Sequence, residues 1–140
     1  MMAGVSVGEE RVARLPDGAR ALFDGPNHVA VTTINQDGSP QMSLVWAKAD
    51  GDAVVFSTIK GRRKYANLTR DPRIGALVYA ASDPYIYAEV RGTATIIDDP
   101  RAELINELAL KYTGEPFGER PGEQRVIVTI KPAKVVYYLD

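Results

Sequence analysis

The chain of 140 residues is the size of one domain around one core, and its 45% hydrophobic and 25% charged residues are ordinary for a globular protein. Its net charge of -1 and pI near 5.9 weigh against a general nucleic-acid binder, which carries a basic excess. The absence of cysteine excludes disulfides, thiolate catalysis and cysteine metal sites; a single histidine, His28, rules out a His-rich zinc site and makes any Ser-His-Asp triad depend on it.

Residues 1–11 are small and charged and are expected to fray. Leu15 to Phe23 predicts a short helix, with Pro16 at its first position and Gly25-Pro26 as its stop. The β-branched run His28 to Ile34 predicts a strand, Asn35 to Ser39 a hairpin turn centred on Asp37-Gly38, and Gln41 to Lys48 the returning strand. After the turn Asp50-Gly51-Asp52 comes a strand over Ala53 to Thr58, then a helix over Arg62 to Arg70 that ends before Pro72. Arg73 to Ala80 and Tyr85 to Ile97 predict two further strands around the turn Ser82-Asp83-Pro84, with Gly92 a bulge or close-approach point. Asp99-Pro100 opens a helix to about Leu110, with Asp99 a candidate N-cap and Leu104, Leu108 and Tyr112 on one face beside Ile105. A Gly/Pro-rich loop over Thr113 to Glu123 precedes closing strands at Arg125 to Ile130 and Lys134 to Leu139, parted by Pro132. Six or so strands joined by hairpins, with two or three short helices, predict a mainly β, mostly antiparallel single domain, and closure into a small barrel would remove the edges. No apolar run approaches the ~20 residues of a membrane span, and residues 1–10 lack a signal-peptide pattern, so a cytoplasmic protein is expected.

The most informative segment is Ser57-Thr58-Ile59-Lys60-Gly61-Arg62-Arg63-Lys64, between the run Ala53 to Phe56 and a helical pattern. Two small hydroxyls, a glycine and a cluster of cations stand where a helix begins. The first N–H groups of a helix are unpaired and its macrodipole is positive there, which already favours an anion. Lys60, Arg62, Arg63 and Lys64 add charge-assisted donors, the composition of a pocket for one phosphate; a solvated basic turn is the plainer alternative.

In order, the strands, the Asp-Gly-Ser-Pro turn, the stretch VVFSTIKGRRKYANLTRDPRIGALVY and the strand containing EVRGTATI resemble the pyridoxamine 5'-phosphate oxidase-like split-barrel family of flavin and deazaflavin binders. The resemblance runs from about Asn27 to Tyr138. It implies an FMN-binding type of split β-barrel and a homodimer whose cofactor lies between subunits. It also implies phosphate contacts from Arg63 and Lys64, or from Arg62 and Lys64 in the deazaflavin branch, with Ser57 and Thr58 as the hydroxyl pair. Met42, Ser43, Leu44, Val45 and Trp46 match the strand beside the ring, whose pyrimidine edge is bonded by backbone groups. Two departures matter. The flavin mononucleotide oxidases carry basic residues at the positions of Met42 and Ala47, and they extend further at the C-terminus to recognise pyridoxamine phosphate. The chain is more similar to the short branch using the deazaflavin coenzyme F-420, which implies an F-420-dependent oxidoreductase passing hydride to a small enone- or quinone-like substrate. An FMN-dependent oxidoreductase and a non-catalytic cofactor carrier are the alternatives. In either enzyme the cofactor carries the hard step, so one histidine and no thiol suffice.

Other candidates divide between site and scaffold. Lys60 either reaches the phosphate or stands solvated. Trp46 is a ring wall or a core residue. Tyr85 and Tyr87 share one face of their strand and either line the substrate side or pack a dimer. Asn67 is expected to orient its loop, Arg70 and Arg73 to serve the surface or a helix end, and His28 to be a surface or structural residue. No carboxylate pair or metal-ligand spacing stands out, and no catalytic side chain is assigned.

Overall fold

In the computed structural model, residues 5–7 and 13–138 are described, and they form β1 (Val5–Val7), α1 (Asp17–Asp24), β2 (Val29–Ile34), β3 (Pro40–Val45), β4 (Ala47–Asp50), β5 (Ala53–Ile59), α2 (Arg63–Arg70), β6 (Arg73–Ala80), β7 (Asp83–Asp98), α3 (Glu103–Thr113) and β8 (Arg125–Tyr138). The strands run antiparallel in one sheet of order β3-β2-β6-β7-β8-β5-β4, with β1 added to β8. The two ends of that path, β3 and β4, are separated in the chain by Trp46 alone. The sheet therefore has to curl until its ends meet, which makes it a split barrel.

Three details differ from the sequence expectation. The predicted strand Gln41 to Lys48 breaks at Trp46, because β3 pairs with β2 while β4 pairs with β5, and the chain turns a corner between these partners. The closing strands are one strand, β8, with Pro132 inside it: a register shift between Arg91 and Gly92 pairs Arg91 with Lys134 and Gly92 with Pro132. A bulge of this kind accommodates a proline, which has no N–H for the ladder. It also explains Gly92, where a Cβ would stand 2.0 Å from the Lys131 carbonyl oxygen. Within the segment expected to fray, Val5–Val7 pairs with Val136–Tyr138; residues 1–4 and 8–11 lie outside the described residues.

Alternation along the strands fills the barrel. Val29 and Val31, Val54 and Phe56, Val78, Val90, and Val126, Val128 and Ile130 are buried inside with Phe23 of α1, as period-two patterning demands. The Asn35–Ser39 turn closes through the Gly38 N–H to Asn35 carbonyl bond, with Gly38 at φ 87°. Helix α3 begins later than expected, at Glu103. Asp99 still serves its start, its carboxylate accepting the N–H groups of Glu103 (3.1 Å) and Leu104 (3.0 Å). Leu104 and Leu108 of α3 then pack on Val55 with Trp46 and Tyr112, a second small cluster outside the barrel. Among the described residues no helix is long and apolar enough to cross a membrane.

Candidate functional site

Strand β5 ends in buried Ser57 and Thr58, and the turn that follows carries the chain into α2. Arg62 is the N-cap of α2 with extended backbone, and no side chain caps the helix, so its first N–H groups keep their polarity for an outside partner. Beside them a pocket of about 270 Å³ is lined by Leu44, Val45, Trp46, Ser57, Thr58, Ile59, Arg62 and Lys64, with His28, Ile105, Phe117 and Arg125. The hydroxyl pair, the basic step and the β3 corner named from the sequence thus converge on one cavity.

The electrostatics of this corner are lopsided. Among the described residues neither Arg62 nor Lys64 has a carboxylate partner. Lys64 is half-buried, and burial together with the neighbouring Arg62 charge pulls its ammonium below the ordinary lysine pKa. Two like charges, the exposed Arg62 and the half-buried Lys64, at a helix start with no acidic residue in the first turn form a place that an anion would stabilise. The other predicted cations lie elsewhere: Lys60 pairs with Asp98 at 3.1 Å, and Arg63 is exposed on α2, away from the pocket lining.

The aromatic wall is built by α3. The Tyr112 hydroxyl donates to the Asn27 carbonyl (2.7 Å) and accepts the Ala47 N–H (3.2 Å). Lys111 donates to the carbonyls of Phe23 (2.9 Å) and Ala47. Both contacts pin the β3–β4 corner, so that Trp46 stacks on Tyr112 (centroids 5.4 Å apart, 14° between planes) and meets Phe117 edge-on at 6.4 Å. Burial raises the Tyr112 pKa and lowers that of Lys111, as the removal of water from each charged form requires. Trp46 is therefore both pocket wall and packing residue.

The remaining candidates point elsewhere. Met42 is 67% exposed and lines a shallow apolar depression of about 780 Å³ on the outer face of β2, β6 and β7, together with Leu77 and Gly75. The Ser43 hydroxyl is buried without a hydrogen-bond partner and lies outside the pocket lining. Tyr85 is 82% exposed, and Tyr87 packs on Tyr138 with ring centroids 4.9 Å apart. Three pocket residues escaped sequence reasoning: Arg125, Phe117 and Ile105. They arrive from α3, the loop after it and β8, and only the Ile59–Arg125 pairing of β5 with β8 reveals Arg125. His28, expected as a surface or structural residue, is exposed and forms part of the pocket rim.

A curled antiparallel sheet with a cationic corner beside a short helix defines a split β-barrel. The chain belongs to the pyridoxamine 5'-phosphate oxidase family, whose pattern matches residues 15–138. It is similar to a solved structure titled F420 Reductase, with 31% identity over 86% of this chain and 97% of that one, at a TM-score of 0.78. A conserved hypothetical protein of Mycobacterium tuberculosis shares the fold at 20% identity and a TM-score of 0.73, over 91% of this chain and 87% of that one. A pyridoxine/pyridoxamine 5'-phosphate oxidase of Rhodopseudomonas palustris is 30% identical over 90 residues; the match spans 64% of this chain and 42% of that longer relative. The chain is thus a member of an oxidoreductase family.

Proposed function

We propose that this protein is a deazaflavin (coenzyme F-420)-dependent reductase acting as a homodimer on a small conjugated carbonyl substrate. One observation carries the cofactor site: Arg62 and Lys64, without carboxylate partners among the described residues, line a pocket with the buried hydroxyl-bearing residues Ser57 and Thr58 at the uncapped start of α2. That donor set fits a phosphate, whose oxygens accept charge-assisted hydrogen bonds of roughly 1.5–3 kcal/mol each. Arg62 and Lys64 would hold the phosphorylated end, with Ser57 and Thr58 offering hydroxyls. Leu44, Val45 and Trp46 would flank the ring and keep water from it. When bound, the reduced deazaflavin supplies a hydride to the electron-poor carbon of the acceptor. The adjoining carbon would need a proton to complete the reduction, and no side chain is assigned as its donor. The protein's contribution is binding, orientation and exclusion of water.

The similarity to the F420 Reductase structure, which covers nearly all of that chain, supports the deazaflavin over other cofactors. Two features support the dimer. A pocket of about 270 Å³ in one chain is small for a cofactor-sized ligand, since such sites usually enclose roughly 300–1,000 Å³. The outer sheet face exposes Met42, Leu44, Leu77 and Tyr79 in the manner of an unburied interface. A second copy seated there would extend the pocket and cover the face. FMN is the second reading, favoured by the similarity to a pyridoxine/pyridoxamine 5'-phosphate oxidase. Titration of the purified protein with F-420 and with FMN separates the two: tighter binding of F-420 is expected, and a preference for FMN overturns the deazaflavin assignment. Turnover against enones and quinones, with sedimentation to measure oligomeric state, tests the rest.

A further inference from the structure

Arg125 is the first residue of β8. It sits opposite Ile59 in the β5–β8 ladder and reaches the pocket wall beside Ser57, 68 residues earlier in the chain. Its side chain is only 11% exposed. A guanidinium donates from every nitrogen and accepts nothing, yet here the acceptors run short. Nη2 donates to Glu123 Oε1 at 3.0 Å, Nη1 reaches the Ser57 hydroxyl only at 3.5 Å, and Nε is buried with no acceptor among the described residues. Leaving a buried charged donor unmatched is costly.

The surroundings nevertheless hold this group in place. Its guanidinium carbon lies 4.9 Å from the centroid of the Phe117 ring, over which Arg120 also stands at 4.3 Å. The Phe117 and Gly118 N–H groups are in turn held by Asn106 Oδ1, at 2.9 and 3.3 Å. The fold thus fixes a desolvated cation at a wall shared with Arg62 and Lys64 and gives it a single close carboxylate, on its own loop.

We infer that Arg125 is a third cation of the anion site. It takes an anionic oxygen of the bound group beside the Ser57 hydroxyl, and Glu123 is the built-in competitor that this oxygen displaces. The inference rests on the pocket receiving a phosphorylated cofactor, and it adds a ligand contact from the far end of the chain. The displaced Glu123 also gives the site an internal anion that holds Arg125 until the cofactor arrives.

The test is fluorescence titration of the full chain with F-420 and with FMN, at low and moderate salt, alongside thermal unfolding of each variant. Arg125→Gln is expected to weaken binding by at least about tenfold, with Arg125→Lys recovering part of the loss. Glu123→Gln is expected to tighten binding severalfold, since it removes the competing charge. Wild-type affinity in Arg125→Gln, with binding lost in Arg62→Ala, overturns the role of Arg125 and leaves the pocket assignment standing. Wild-type affinity in both variants sinks the pocket assignment as well. Should Arg125→Gln fail to fold, Glu123→Gln decides: unchanged or weaker binding reduces Arg125 to a brace for the Phe117 loop.

Discussion

The two ends of α2 carry similar residues put to opposite uses. At the C-terminal end every strong polar group has found a partner. Asn67, 1% exposed, donates to the hydroxyl of Thr33 and to Asn35 Oδ1, each at 3.0 Å. Arg70 reaches Asn67 Oδ1 (3.3 Å) and the Ile34 carbonyl, a favourable place for a cation at a helix C-terminus. Arg73 pairs with Asp71, whose carboxyl is held down to about 2 by the Arg73 hydrogen bonds. At the N-terminal end Arg62 and Lys64 have no carboxylate among the described residues, and the helix start is uncapped. One end is consumed in docking the helix on the β2–β3 hairpin, and the other leaves its donors without a carboxylate among the described residues. The lesson is that charge alone does not mark a site; charge without a partner, on a rigidly docked element, does.

Substitutions that cross these roles test the contrast. The largest effect on the fold is expected from Asn67→Ala, which removes both donor bonds and the Oδ1 acceptor of Arg70, while Thr33 keeps Gln41 and Arg70 keeps the Ile34 carbonyl. A loss of about 2–3 kcal/mol in urea unfolding is expected, and a loss under ~0.5 kcal/mol would mean that this end is not the anchor. The double change Arg62→Ala with Lys64→Ala should do the reverse. Cofactor affinity falls about a hundredfold or more by titration, while the unfolding midpoint holds or rises because two repelling cations are gone.

A smaller effect appears in pH. The folded Lys64 pKa lies below the ordinary 10.5, so its charge, and with it anion affinity, is lost as pH rises through that lowered value. Binding should therefore weaken before an ordinary lysine would titrate, and Lys64→Arg should carry full affinity to higher pH. The stability of the free protein moves the opposite way. The unfolded chain keeps the proton to higher pH, so this group's contribution to stability grows between the lowered pKa and 10.5. The smallest effects belong to Arg63→Ala and Lys60→Ala, each within about twofold in affinity. Lys60 stands in a partly exposed pair with Asp98 that is worth at most ~1 kcal/mol. A large loss in either would move the anion toward the outer side of the turn.

Much of the architecture was legible because it is local. The Asp37-Gly38 turn needs a positive φ that Gly38 supplies, the runs of β2 and β6 show period-two burial, and β5 reads as a strand buried on both faces. Gly92 could be named as a close-approach point, although the carbonyl it makes room for could not. Of the pocket lining, Leu44 to Trp46 and Ser57, Thr58, Arg62 and Lys64 could be grouped from the sequence, since hydroxyls, a glycine and cations fall together between a strand and a helix. The same reasoning grouped Lys60 and Arg63 with their neighbours, because linear spacing does not say which side of a turn a long side chain takes. It also grouped Met42 with Trp46, whereas Met42 looks out across the open face of the sheet and Trp46 turns the corner onto Tyr112.

By itself, then, the amino-acid order determined the strands, the turns, the parity of buried positions and the existence of a cationic helix start, all properties of neighbours in the chain. Only the tertiary structure decided that β3 and β4 part at Trp46, that β8 runs unbroken through Pro132, and that Arg125 and Phe117 join Ser57 in lining the pocket. Those outcomes depend on register between strands far apart in sequence. A shift of one residue would turn each side chain to the opposite face of the sheet, and no local signal specifies that pairing.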